Sequence, residues 1–102
     1  MKLEERLSTF VKLNQTLNDL SSAEYTEIII QASKNNHWFN ASNVEQAISG
    51  LIHLTEPIKM KSWLTNYNMM LVKQKIIGLI MAGNVPLVGF HDLMCVLLSG
   101  HK

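Results

Sequence analysis

The stretch from Lys75 to Gly100 restricts the folds open to this chain more than any other. Ile76 to Met81 is an apolar run without polar alternation, the pattern of a strand buried on both faces. Gly83, Asn84 and Pro86 break that run, and an apolar helical pattern then continues to Ser99. Gly100 stands where a helix C-terminus is expected, since glycine enters the left-handed conformation there without steric penalty. The segment therefore reads as strand, tight loop, helix. In open α/β sheets, loops of this kind lie at the carboxyl ends of strands, where ligands bind. The functional signal of the chain is concentrated there.

A strand of this kind needs neighbours on its edges, because unpaired backbone groups are costly in an apolar setting. The one other candidate begins at His101-Lys102, after the helix, which is where a parallel neighbour would follow a crossover. The expected fold class is thus mainly α with one buried strand, the front end of a larger α/β protein. With 102 residues, the chain fits one modest core. A formal net charge of +1 with scattered Lys and Arg argues against a nucleic-acid partner, which requires a clustered basic face. The single cysteine, Cys95, rules out an internal disulfide framework and suits a reducing cytoplasm. The longest apolar region, Ile76 to Leu98, is interrupted by Asn84, Pro86, His91 and Asp92. A bilayer-spanning helix needs roughly 20 apolar residues with few such breaks, so no membrane span is expected.

Four helices are predicted before this unit. Leu3, Leu7, Phe10, Leu13, Leu17 and Leu20 recur at steps of three and four, giving an amphipathic helix over 2–19. Ser21-Ser-Ala-Glu24 is a capping box that opens a second helix running to about Ser33, with Tyr25, Ile28, Ile29 and Ala32 inward. Residues 34–40 read as a polar loop with an aromatic plug, His37-Trp-Phe, and Asn40 as the cap of a third helix over 41–53. Gly50 inside that helix implies close helix packing. Pro57 fits the first turn of a fourth helix over 56–66.

The string from Ile77 to Lys102, with Ala82-Gly-Asn-Val-Pro-Leu-Val-Gly-Phe-His-Asp92 at its centre, closely resembles the first nucleotide-binding unit of the bacterial long-chain acyl-CoA reductases. These form a branch of the aldehyde dehydrogenase superfamily. Asn84-Val-Pro-Leu87 is similar to the Asn-Phe-Pro-Leu signature of ordinary aldehyde dehydrogenases, and Leu98-Ser-Gly100 to the end of their helix. His37-Trp-Phe before a capped helix is similar to the N-terminal region of the same reductases. The resemblance implies an aldehyde dehydrogenase-like, Rossmann-type parent. Residues 1–68 would be an N-terminal helical region and 69–102 the first strand-loop-helix, cut off at the start of the second strand.

It also implies a covalent mechanism. A cysteine thiolate attacks a fatty acyl thioester, CoA leaves, and NADPH or NADH delivers hydride to the acyl-enzyme, releasing an aldehyde. Such chemistry needs a positioned donor at the developing oxyanion, typically worth about 3 kcal/mol. In the superfamily the motif asparagine supplies a side-chain amide donor, which maps onto Asn84 as the one catalytic candidate. Ala82, Gly83, Asn84, Val85 and Pro86 would line part of the nicotinamide site. Aldehyde dehydrogenases carry bulky aromatics around this asparagine, so Ala82, Gly83 and Val85 favour the acyl-CoA reductase branch. The family's catalytic cysteine and cofactor-ribose lysine lie further downstream, and these 102 residues alone are expected to be inactive.

The remaining candidates read as structural. Cys95 lies mid-helix among apolar residues that raise a thiol pKa. His91 and Asp92 are adjacent helix residues that point in different directions, and Asp92 suits the positive end of the helix dipole. His37, His53, His91 and His101 lack metal-ligand spacing, so no metal is expected. Met69, Met70 and Trp63 read as core filling. A reading from a different class is a non-catalytic helical module that buries its orphan strand by self-association, through edge pairing or domain swapping.

Overall fold

Five α-helices carry the architecture of residues 1–102 in the computed structural model, which describes the whole chain. They are α1 (Leu3–Asn18), α2 (Ser22–Asn35), α3 (Ala41–Leu54), α4 (Pro57–Leu64) and α5 (Phe90–Leu98), with a 3₁₀ turn at Met69–Leu71. Helix α1 packs against α3, α4 and α5, whereas α2 packs on α3. No sheet forms.

Four of the five helices begin where a side chain takes up amides that the first turn leaves without partners, and only α5, which starts after Gly89, has no such cap. The Glu24 amide donates to Ser21 Oγ (3.2 Å) and the Ser21 amide to the Glu24 carboxylate (2.7 Å), closing the expected box. Asn40 accepts from the Asn43 amide at 2.9 Å. The Glu56 carboxylate accepts from the amides of Ile58 and Lys59, one residue before Pro57. At the far end, Gly100 has φ +93°, so the last helix stops on a left-handed glycine as its sequence implies.

The main core gathers Phe10, Met60, Leu64, Met94 and Leu98, flanked by Leu7, Leu54, Trp63 and Phe90. Phe10 and Phe90 meet edge to face, with ring centroids 6.1 Å apart. Burial of side chains of this size stabilises by roughly 1.5–3 kcal/mol each, which seats α5 on α1 and α4. A buried polar contact fixes the turn between α3 and α4. Asn14 Nδ2 donates to the Ile52 carbonyl (2.8 Å) and to Thr55 Oγ1 (3.1 Å), and the Thr55 hydroxyl donates to the Leu51 carbonyl (2.8 Å).

Four expectations are corrected. Ile76–Met81 is not a buried strand: Ile76 is 89% exposed and Ile80 fully so. The helices close their core on one another, and nothing in the chain covers these side chains. One pair of bonds does form, from the Ile77 amide to the Lys102 carbonyl (2.7 Å) and from the Lys102 amide to the Lys75 carbonyl (2.9 Å). That pair has the pattern of a single rung between parallel strands. Helix α2 buries no residue fully, and its main packing partner is α3 alone. Gly50 is exposed, and a Cβ at its position would meet nothing within 4 Å, so close packing is not its role. Trp38 and Met70 are exposed, at 71% and 95%, rather than buried.

Candidate functional site

Residues 82–89 form the loop that carries Asn84, and its shape is set by close contacts at both ends. Gly89 is buried, and a Cβ there would collide with Cγ and Sδ of Met81 and lie 2.8 Å from Met81 Cβ. The glycine thus lets the chain return past Met81 into α5. Between them, the Val88 amide donates to the Val85 carbonyl (3.4 Å) and the Phe90 amide to the Leu87 carbonyl (3.0 Å). This tight path puts Leu87 at φ +58°. A left-handed leucine is strained by about 1–2 kcal/mol, which the surrounding turn and the entry into α5 must hold.

The loop is tied to the segment before α3. Asn36 Nδ2 donates to the Gly83 carbonyl at 3.1 Å, while Asn36 Oδ1 accepts from the Trp38 amide at 3.0 Å. Asn43 Nδ2, in the first turn of α3, donates to the Trp38 carbonyl at 2.7 Å. These bonds place the exposed indole of Trp38 opposite the loop, across an open groove of about 290 Å³. Asn43 and Gln46 form one side, and Asn84, Val85 and Pro86 the other.

Of the sequence candidates, the structure brings Asn84, Val85 and Pro86 to this groove, while Ala82 and Gly83 precede them in the loop outside its lining. Asn84 lies exposed on the groove with no hydrogen bond to another protein group, so both its donor and its acceptor are free. Ala82, Gly83 and Val85 are exposed and Pro86 is half-buried. The lining carries side-chain amides, an indole and small apolar groups, and no charged side chain. Such a surface can orient a neutral polar group by hydrogen bonding. By itself it offers no general base and no nucleophile.

Cys95 is not among the residues that line this groove. Burial, followed by the Asp92 charge, pushes its thiol pKa up. Its Sγ lies 3.8 Å from the His91 ring nitrogens, too loose for an activated thiol–imidazole pair. His91 Nδ1 also lies 3.8 Å from Asp92 Oδ1 on an exposed face, so these neighbours do approach one another, although weakly. No three His, Cys, Asp or Glu side chains gather to hold a metal ion.

Sequence reasoning missed the far wall of the groove. Residues 34–40 read as a plugged loop, yet Asn36, Trp38 and Asn43 form the frame against which the Asn84 loop rests. The signal that could have found it was an aromatic residue set among asparagines with no apolar partner at helical spacing. Comparison with family models, curated proteins and solved structures finds no match to this chain.

Proposed function

We propose that this chain is the N-terminal part of an acyl-CoA reductase, in which Asn84 donates a hydrogen bond to the thioester carbonyl as it becomes an oxyanion. The observation that carries this reading is the uncommitted side-chain amide of Asn84, held on a strained loop at the rim of an uncharged groove. A donor aimed at developing charge acts best when no intramolecular bond must break first. The small, neutral residues Ala82, Gly83 and Val85 fit a flat uncharged ring such as nicotinamide. The phosphates of NADPH or NADH, by contrast, would need cations that this groove does not supply. The nucleophilic cysteine would come from further along the protein, since Cys95 is turned away from activation by its surroundings. A reducing cytoplasm suits such a thiol enzyme.

The test has two parts. Sequencing the gene beyond the Lys102 codon should reveal a Val/Leu-rich strand and, later, a cysteine; an immediate stop would overturn the reading. In the longer protein, Asn84→Ala should lower kcat by about 10²–10³-fold with little change in KM. An unchanged kcat would remove Asn84 from the mechanism.

One observation favours a second reading, self-association of a non-catalytic helical module. Met70, Leu71, Ile76 and Ile80 are all more than four-fifths exposed within one short stretch. Grouped exposure of this kind marks an interaction surface. Sedimentation that depends on protein concentration is the expected result.

A further inference from the structure

We propose that residues 76–80 pair with the same segment of a second copy, antiparallel and centred on Gly78. The inference rests on the self-association reading and adds to it a surface, a direction and a register. In extended backbone, the N–H and C=O of one residue point to the same edge, and those of the next residue to the opposite edge. The bonds to Lys102 use the Ile77 amide and the Lys75 carbonyl, so the odd-numbered groups face that tail. The even-numbered groups, those of Ile76, Gly78 and Ile80, make no hydrogen bond within the chain. Side-chain exposure follows the same alternation. Ile76 and Ile80 stand in solvent, whereas Ile77 and Leu79 are more covered and Met81 meets Gly89.

This edge is self-complementary in one register. With Gly78 opposite Gly78, each Ile76 faces the Ile80 of the other copy, stacking the two most exposed isoleucines in cross-strand pairs. All three even-numbered residues then fall at positions that exchange both backbone bonds. The two-fold axis then passes midway between the two Gly78 residues, and nothing lies within 4 Å of a Cβ position there, so the face that carries the Ile76 and Ile80 pairs is open. Charge selects the direction. An in-register parallel copy would set Lys73 on Lys73 and Lys75 on Lys75, whereas the antiparallel one places Lys75 opposite Met81 and Lys73 opposite Gly83. Like charges directly opposite one another are destabilising in a sheet pair. The contact area of one short edge falls below the roughly 800 Å² per partner of a stable complex, so the dimer is weak and forms at high concentration.

Sedimentation equilibrium of the 102-residue chain, with and without two pairs of substitutions, tests the proposal. Ile76→Lys with Ile80→Lys places lysine on lysine in the antiparallel pair and should raise the dissociation constant at least about tenfold. Ile76→Glu with Ile80→Lys places glutamate opposite lysine and should bring association back toward the unsubstituted level. Both side chains are exposed, so circular dichroism should show the helical content unchanged in each variant. Equal loss in both variants would overturn the antiparallel register. Association that neither variant alters would overturn the edge but leave self-association standing. A chain that stays monomeric to about 1 mM would overturn both. The reductase reading is decided separately, by the gene and by Asn84→Ala.

Discussion

At the scale of single residues, Thr55 and Asn14 do the most that apolar periodicity could not announce. Thr55 is wholly buried, and its hydroxyl joins Asn14 to the Leu51 carbonyl at the end of α3. Thr55→Val keeps the volume but leaves the Asn14 amide with the Ile52 carbonyl alone. It should destabilise the fold by about 1–3 kcal/mol in urea denaturation, and less in an Asn14→Leu background, where the partner is already gone. Cys95 makes the opposite case, since the upward push of burial on its thiol pKa was legible from its apolar neighbours. Its alkylation at neutral pH should be slower than that of a free thiol. Asp92→Asn should move the pH midpoint of that reaction down, because a negative neighbour disfavours the thiolate. The midpoint should remain above the ordinary cysteine value, since burial is the larger cause. Asn84 was legible as a candidate from its loop, but its freedom from intramolecular bonds was not.

Among the elements, all five helices could be placed from the sequence: apolar periodicity gave α1 and α5, Ser21, Asn40 and Pro57 mark the starts of α2, α3 and α4, and Gly100 marks the last stop. Local bonds at a helix end involve residues close in sequence, so they can be read without knowing the fold. The segment 76–81 failed for the converse reason. An apolar run shows that cover is wanted, but it does not show whether the remaining helices can provide it. Two predictions belong here. Gly89→Ala should cost about 1–3 kcal/mol, because the methyl group meets Met81, and should shift the amide resonances of residues 82–88. Since φ at Gly89 is −85°, the cost is steric, and adding Met81→Ala should recover only part of it, because the Cβ of residue 81 stays 2.8 Å away. The second concerns α2. The Ser21 amide and hydroxyl hold the Glu24 carboxyl below its usual range. A pKa lowered on folding contributes stability above the unfolded value that is lost as pH falls through the folded one. The amides at the start of α2 should therefore lose protection in that acid window, and Glu24→Gln should abolish the pH dependence.

For the whole molecule, cohesion is uneven. Helices α1, α4 and α5 share one core, and Arg6 reinforces it by donating from Nε to the Leu98 carbonyl at 3.2 Å, near the end of α5. That contact lies beside Gly100, so it helps hold the tail whose Lys102 meets residues 75 and 77. Arg6→Met should loosen the tail, visible as faster exchange of the Ile77 and Lys102 amides, while the central helices stay protected. Helix α2 stands outside this arrangement, resting on α3 with no side chain fully enclosed. Its opening sacrifices little apolar contact, so its free energy should lie well below that of global unfolding. A native-state protease digest would then nick the backbone first around residues 19–35, and the product would keep its remaining helices assembled. Because Asn36 directly follows α2, that opening would also pull on the bonds by which Asn36 holds the Gly83 carbonyl and the Trp38 amide, while Asn43 and Gln46 stay in place with α3.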